Sequence, residues 1–240
     1  MTKKLNVSVC ISPYLYPIYH KPDTIVVVID ILRATSAICA AFEHGVEKII
    51  PVATVEEATE YRQKGFIVGA ERNGITLEGF DFGNSPYSYM SEKLKGSTIV
   101  ISTTNGTQAI EAAKNAYQVV IGAFVNITVL CNWLQTQNKN ILLLCAGWKN
   151  RFNLEDTLFA GAVAEKLVNT TDNFKLDDSA LLTSYSYQAA KLNPFNYLRN
   201  SSHAERLATL GLKHDIKYCF SLDKTNVIPI LKGNELIKLV

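Results

Sequence analysis

An unbroken aliphatic run, Ile25-Val26-Val27-Val28-Ile29, ends on a carboxylate, Asp30. Successive strand residues point to opposite faces, so a strand can be apolar throughout only if both faces are covered, as when helices pack above and below a parallel sheet. Comparable runs recur at 6–11, 48–52, 66–70, 98–102, 118–123 and 140–145. Helix-period segments fall between them at 33–44, 55–64, 106–115, 127–137 and 154–168, with Gly45 and Gly65 stopping the first two. This alternation predicts an α/β fold, a mainly parallel sheet with flanking helices.

After about Asn169 the pattern changes. A polar stretch near 169–173 precedes a Tyr/Ser-rich helix at 177–191, a turn at Asn193-Pro194 and a segment at 201–210 stopped by Gly211, with strands expected around 216–220 and 227–230. We therefore divide the chain into an α/β domain, 1–168, that carries most site motifs, and a smaller C-terminal α+β portion, 169–240, that packs on it or completes it. The Gly/Asn-rich region 72–86 and the polar region 169–173 read as loops.

Charge narrows the range of partners. With 24 Lys+Arg against 22 Asp+Glu and no block of one sign, the chain has no electrostatic footprint for nucleic acid or an anionic membrane. The most apolar stretch, 25–32, contains Asp30 and is far shorter than the ~20 residues of a membrane span. At the N-terminus, Met1-Thr2-Lys3-Lys4 is basic, but Asn6 and Ser8 break the apolar run behind it, which is too short for a secretory signal. Of five cysteines, none in a CxxC pair, Cys10, Cys39 and Cys145 sit in apolar segments as buried hydrophobes would. These features describe a soluble cytoplasmic protein and leave a homo-oligomer open.

In parallel α/β sheets ligands collect beyond the carboxyl ends of the strands. The residues standing there are Asp30 and Arg33; Glu71, Arg72, Asn73 and Gly74; Thr103, Thr104, Asn105, Gly106 and Thr107; and Cys145-Ala146-Gly147. The Thr103 to Thr107 turn leaves a strand and opens a helix, so it is either an anion cradle or an ordinary helix cap. A carboxylate such as Asp30 at the end of an apolar strand needs compensation, from Arg33 or from a hard cation such as Mg²⁺. Glu71 faces the same choice, with Arg72 as its structural partner. Glu155 and Asp156 lie in the first turn of a helix, where dipole and capping stabilise them whatever their use, and Asp156 is placed ahead of Glu155 as a site residue.

Cys145 and Arg151 share the C-x5-R spacing of cysteine-dependent phosphatases, but Leu144, Phe152 and the bulky Trp148 and Lys149 depart from that loop. A buried structural thiol ranks first and a nucleophile second. His20, His44, His203 and His214 show no zinc spacing, and no glycine-rich nucleotide motif is present.

Together, Val28-Ile29-Asp30-Ile31-Leu32-Arg33-Ala34-Thr35-Ser36, Gly69-Ala70-Glu71-Arg72-Asn73-Gly74, Gly79-Phe80-Asp81-Phe82-Gly83-Asn84-Ser85-Pro86, Thr103 to Thr107, Cys145-Ala146-Gly147 and Leu154-Glu155-Asp156 resemble the 2-phosphosulfolactate phosphatase family, named for a step of coenzyme M biosynthesis. Ser202-His203, Asp215, Cys219, Asp223 and Val227-Ile228-Pro229 look like its closing segment. The resemblance implies a family-specific α/β phosphatase fold. It also implies a Mg²⁺-dependent hydrolase that releases phosphate from a small anionic phosphorylated 2-hydroxy acid. In that picture Asp30, Glu71 and Asp156 hold Mg²⁺ and, with Arg33, form the catalytic set. Arg72 and Thr103, Thr104, Asn105, Gly106 and Thr107 bind substrate anions, and Asn73, Asn84 and Ser85 orient the substrate. The alternatives are a cysteine-nucleophile phosphatase using Cys145 and Arg151, and a non-catalytic anion-binding module.

Overall fold

The computed structural model describes residues 4–240; the basic start Met1-Thr2-Lys3 lies outside them. The strands are β1 (Leu5–Cys10), β2 (Thr24–Ile29), β3 (Lys48–Pro51), β4 (Ile67–Arg72), β5 (Ile75–Thr76), β6 (Thr98–Ser102), β7 (Gln118–Gly122), β8 (Asn140–Cys145), β9 (Phe174–Leu176), β10 (Pro229–Lys232) and β11 (Glu235–Lys238). The helices are α1 (Tyr16–Tyr19), α2 (Ala34–Glu43), α3 (Val55–Gln63), α4 (Gly106–Ala113), α5 (Ile127–Thr136), α6 (Leu154–Thr170), α7 (Asp178–Ala190), α8 (Pro194–Tyr197), α9 (Ser202–Thr209) and α10 (Lys213–Cys219).

All strands join one sheet in the order β5-β4-β6-β3-β11-β10-β7-β2-β8-β1-β9. Two parallel blocks, β4-β6-β3 and β7-β2-β8-β1-β9, are bridged by the antiparallel hairpin β10-β11. The hairpin closes the sheet through Ile230 opposite Val120 and Leu236 opposite Ile49. Thus the end of the chain supplies the middle of the sheet. β2 lies between β7 and β8, and all its residues are buried. The continuous apolar run is thereby explained, because helices cover both of its faces.

Helix starts follow local chemistry. Thr54 caps α3 in a reciprocal box with Glu57, and the Asp177 side chain accepts from the Ala180 amide at the start of α7. α6 and α7 pack closely at Gly161, where a Cβ would come within 2.0 Å of the Thr183 carbonyl oxygen.

One expectation is overturned. The 216–220 segment is not a strand; its residues belong to α10 and the turn that ends it. Asp215, Ile216 and Cys219 are the buried positions of α10, a helical spacing that a five-residue window does not distinguish from a strand. The 72–86 loop also contains β5, paired antiparallel with β4, and the polar stretch at 169–173 leads into β9 at the sheet edge.

Candidate active site

Residues that follow β2, β4, β6 and β8 converge on a small cavity, although the hairpin makes the β4-β6-β3 block run opposite to the β7-β2-β8 block. Asp30, Arg33, Glu71, Asn84, Asn105 and Trp148 contribute to its walls, and His203, Arg206 and Leu207 close it from α9.

Asp30 leaves β2 in a turn tied to α2. Its N–H donates to Thr35 Oγ1 at 3.2 Å and its carbonyl accepts from the Thr35 amide at 2.9 Å. Gly106 at the start of α4 lies directly above it, since a Cβ there would come 2.9 Å from Asp30 Oδ2. Among the described residues no hydrogen bond reaches the Asp30 carboxylate, although the residue is only 6% exposed. Burial, and then Asp156, raise its pKa well above the usual carboxylate range; Glu71 and Glu155 add to the rise, and His203 opposes it.

The other two acids proposed for metal are differently placed. Asp156 Oδ1 accepts from the Ile31 amide at 3.0 Å, and Oδ2 accepts from the Gly147 amide at 3.1 Å and from Asn153 Nδ2 at 2.8 Å. It therefore ties the ends of β2 and β8 to the first turn of α6. Burial and the neighbouring Glu155 push its pKa up to about 8 in spite of those donors. Glu71 Oε1 accepts from the Thr104 amide at 2.7 Å and the Thr104 hydroxyl at 2.9 Å, while Oε2 accepts from the Gly74 amide at 2.7 Å.

The arginines do not neutralise these carboxylates. Arg33 Nη1 donates to Asp215 Oδ2 at 2.9 Å, a buried pair, and Nη2 donates to the Gly74 carbonyl at 2.8 Å. Arg72 Nη1 donates to the Glu71 carbonyl at 2.6 Å and Nη2 to Ser102 Oγ at 3.1 Å. Neither simple local pairing, Asp30 with Arg33 or Glu71 with Arg72, is formed.

In the 103–107 turn, Thr103 and Thr107 satisfy one another. The Thr103 amide donates to Thr107 Oγ1 at 3.2 Å and the Thr107 amide to Thr103 Oγ1 at 3.1 Å, so these hydroxyls cap the helix start. Thr104 serves Glu71, and Asn105 Oδ1 accepts from the Lys149 amide at 3.2 Å while lining the cavity. Asn84 is buried on the cavity wall, Ser85 Oγ donates to Asp215 Oδ1 at 3.0 Å, and the Asn73 amide donates to Thr104 Oγ1 at 3.3 Å.

Cys145 is fully buried, and burial followed by the nearby Asp156 raises its thiol pKa well above the usual value. Arg151 is exposed, and its backbone closes a tight turn with Trp148. A thiolate with an arginine poised beside it is not what this arrangement provides.

Sequence reasoning assigned no site role to five residues that the fold brings here. Trp148 carries the Arg206 guanidinium 3.5 Å above its ring, and the His203 ring stacks on it at 5.8 Å. Asp215 fixes Arg33. Glu155, ranked behind Asp156, is buried with Oε1 against His203 Nδ1. One signal for α9 was present: His203, Arg206 and Leu207 at i, i+3 and i+4 share a helix face.

The chain matches the family model described as 2-phosphosulpholactate phosphatase over residues 10–234. The chain belongs to the 2-phosphosulfolactate phosphatase family. Relatives carrying the name probable 2-phosphosulfolactate phosphatase agree. One from Caldanaerobacter subterraneus subsp. tengcongensis is 40% identical over 212 residues, 87% of this chain and 88% of that protein. One from Thermotoga maritima is 40% identical over 205 residues, 85% of this chain and 88% of its own, and one from Clostridium beijerinckii is 34% identical over 218 residues, covering 89% and 91%.

A family of phosphatases is consistent with a divalent cation, and the donors can be tested against one. Among the described residues no group of three or more His, Cys, Asp or Glu is arranged to hold a metal ion. What the site offers is a single undonated, buried carboxylate on Asp30, with Glu71 and Asp156 behind it. That donor fits Mg²⁺, which usually keeps several waters and takes only one or two protein carboxylates beside a phosphate ligand.

Proposed function

We propose that this chain is a Mg²⁺-dependent phosphatase that hydrolyses 2-phosphosulfolactate to sulfolactate and phosphate in the cytoplasm. The observation that carries the reading is the convergence, at one cavity, of the undonated Asp30 carboxylate with the cations of Arg33 and Arg206. A pure anion binder would gain nothing from a cluster of acids beside its ligand, whereas a metal-dependent phosphatase needs both signs of charge. The names of relatives that span most of the chain support the substrate.

Asp30 would hold Mg²⁺, and Glu71 and Asp156 add negative potential while keeping the strand ends in place. When bound, the ion would neutralise phosphoryl oxygens and orient the phosphate. Arg206 is the cation best suited to grip the substrate, because among the described residues it has no ion pair and its Nε is buried without a partner. Its planar guanidinium, held flat by Trp148, can bind a carboxylate or sulfonate through two parallel hydrogen bonds. Arg33, locked by Asp215, contributes fixed positive potential to the phosphoryl group. The Asn84 and Asn105 amides add polar groups to the wall without adding charge. The cavity is about 20 Å³, room for about one water, so α9 must shift to admit substrate.

The test is phosphate release from 2-phosphosulfolactate with and without Mg²⁺, by the protein and by its Asp30→Asn and Cys145→Ser variants. Mg²⁺-dependent turnover that is lost in Asp30→Asn and kept in Cys145→Ser is the expected result. Turnover lost in Cys145→Ser would move the chemistry to the thiol, and no turnover on any phosphate ester would leave the anion-binding module.

A further inference from the structure

A phosphate ester of a secondary alcohol has a poor leaving group. As the P–O bond breaks, its electron pair stays on an alkoxide oxygen, which needs a proton at that moment. Arginines and a metal stabilise the phosphoryl side of this reaction and supply no proton to the other side.

The geometry points to His203 as the general acid that protonates the leaving alkoxide, with Glu155 as its positioning residue. Three observations meet here. His203 stands in the cavity wall together with Asp30, Arg33 and Arg206. Its Nδ1 is hydrogen-bonded to Oε1 of Glu155, a carboxylate that is itself 1% exposed. Its other ring nitrogen, Nε2, has no partner among the described residues, and Trp148 stacks on the ring with an interplanar angle of 29°. A carboxylate at one nitrogen fixes which nitrogen is left for chemistry, and the stacked indole restrains rotation of the ring. Glu155 Oε2 is buried without a partner, so among the described side chains the one hydrogen-bonded to Glu155 is His203. A helix cap alone does not require a glutamate there, because Asn153 and Asp156 already satisfy the start of α6.

The step balances without a further reactant. Water oxygen bonds to phosphorus, the bond from phosphorus to the ester oxygen breaks, and that oxygen takes the proton from His203 Nε2 to become the product hydroxyl. Both water protons stay on the phosphoryl group as dihydrogen phosphate, which returns one to the histidine through solvent. This inference rests on the phosphatase reading above and adds the identity of the proton donor.

The experiment compares leaving groups. The holoprotein with Mg²⁺ is assayed on 2-phosphosulfolactate, an alkyl ester, and on acetyl phosphate, whose carboxylate leaves without a proton. In His203→Gln, kcat on the alkyl ester should fall by about 10²-fold or more while kcat on acetyl phosphate changes by less than about threefold. Glu155→Gln should show the same asymmetry with a smaller loss. Retained turnover of acetyl phosphate also shows that the variant is folded. If the protein refuses acetyl phosphate, the isotope effect of ¹⁸O in the bridging position of 2-phosphosulfolactate gives the same information, and it should rise in His203→Gln. Equal losses on both substrates, or an unchanged isotope effect, would overturn the general-acid role while leaving the phosphatase reading intact. Absence of turnover by the unmodified protein would overturn both.

Discussion

The site is assembled from two regions built on different principles. The strand-end region, with Asp30, Glu71, the 103–107 turn and Asp156, is held by backbone: N–H groups of Ile31, Gly147, Gly74 and Thr104 donate to Asp156 and Glu71. The cap, α9 and α10, reaches the same cavity through side chains alone, with Asp215 on Arg33, His203 on Glu155 and Arg206 on Trp148. Amide donors orient Asp156 and Glu71, whereas the Asp30 carboxylate has no such donor among the described residues. The cap supplies the histidine and the second arginine of the cavity wall. An acidic floor fixed by backbone amides and a cationic cap held by side chains are the two halves on which the proposed metal and substrate roles rest.

That division is broken most severely at Asp30. Asp30→Asn removes the undonated charge but none of the hydrogen bonds of the floor, so kcat should fall by about 10³-fold with little loss of thermal stability in metal-free protein. If its melting temperature instead collapses, Asp30 belongs to the scaffold and the comparison fails. The Mg²⁺-induced rise in melting temperature should vanish in the same variant.

Asp215→Ala tests the junction of the two regions. Breaking one side of a buried ion pair leaves Arg33 uncompensated and should cost about 3–5 kcal/mol in urea unfolding. Asp215→Asn, which can still accept from Ser85, should cost less. Equal, negligible costs would mean that the cap does not position Arg33.

The floor was legible in the local sequence pattern, whereas the cap entered only as a closing segment of the resemblance with no role attached, for a physical reason. A fully apolar strand announces its environment within five residues, and an acid directly after it is conspicuous, so Asp30 and Glu71 could be found one strand at a time. Their partners could not. Local spacing suggested Arg33 for Asp30 and Arg72 for Glu71, whereas the fold gives Arg33 to a residue 182 positions away and Glu71 to backbone amides and Thr104. Asp215 was named only as part of the closing segment of the resemblance, beside a 216–220 segment read as a strand, and its pairing with Arg33 was not visible. The hairpin β10-β11 has ordinary β propensity, but nothing local says that it enters between β3 and β7, because that depends on an unfilled gap between two parallel blocks.

pH acts on the acidic floor directly. Asp156 rises from 3.8 to about 8 on folding, and Asp30 moves in the same direction. The folded state therefore holds protons that the unfolded chain has released. This contribution to stability is complete below about pH 4 and is lost as pH rises toward 8. Metal-free protein should accordingly lose stability more steeply than its Asp30→Asn variant as pH rises, and Mg²⁺ should remove most of the difference. Parallel melting curves for the two proteins would show that the floor is not electrostatically strained.

The smallest effect is expected at Arg206, and it isolates what the cap contributes to binding. Lysine keeps the charge but loses the planar fork and most of the stacking on Trp148, which lies 3.5 Å below the guanidinium. Arg206→Lys should raise KM for 2-phosphosulfolactate by about tenfold, or about 1.4 kcal/mol, and leave kcat nearly unchanged. Trp148→Leu should reproduce that split through loss of the platform. The two changes should be less than additive in the double variant, because the indole acts on substrate through the guanidinium it supports. Full additivity would separate them and leave Arg206 as a point charge, which a cap working by geometry does not allow.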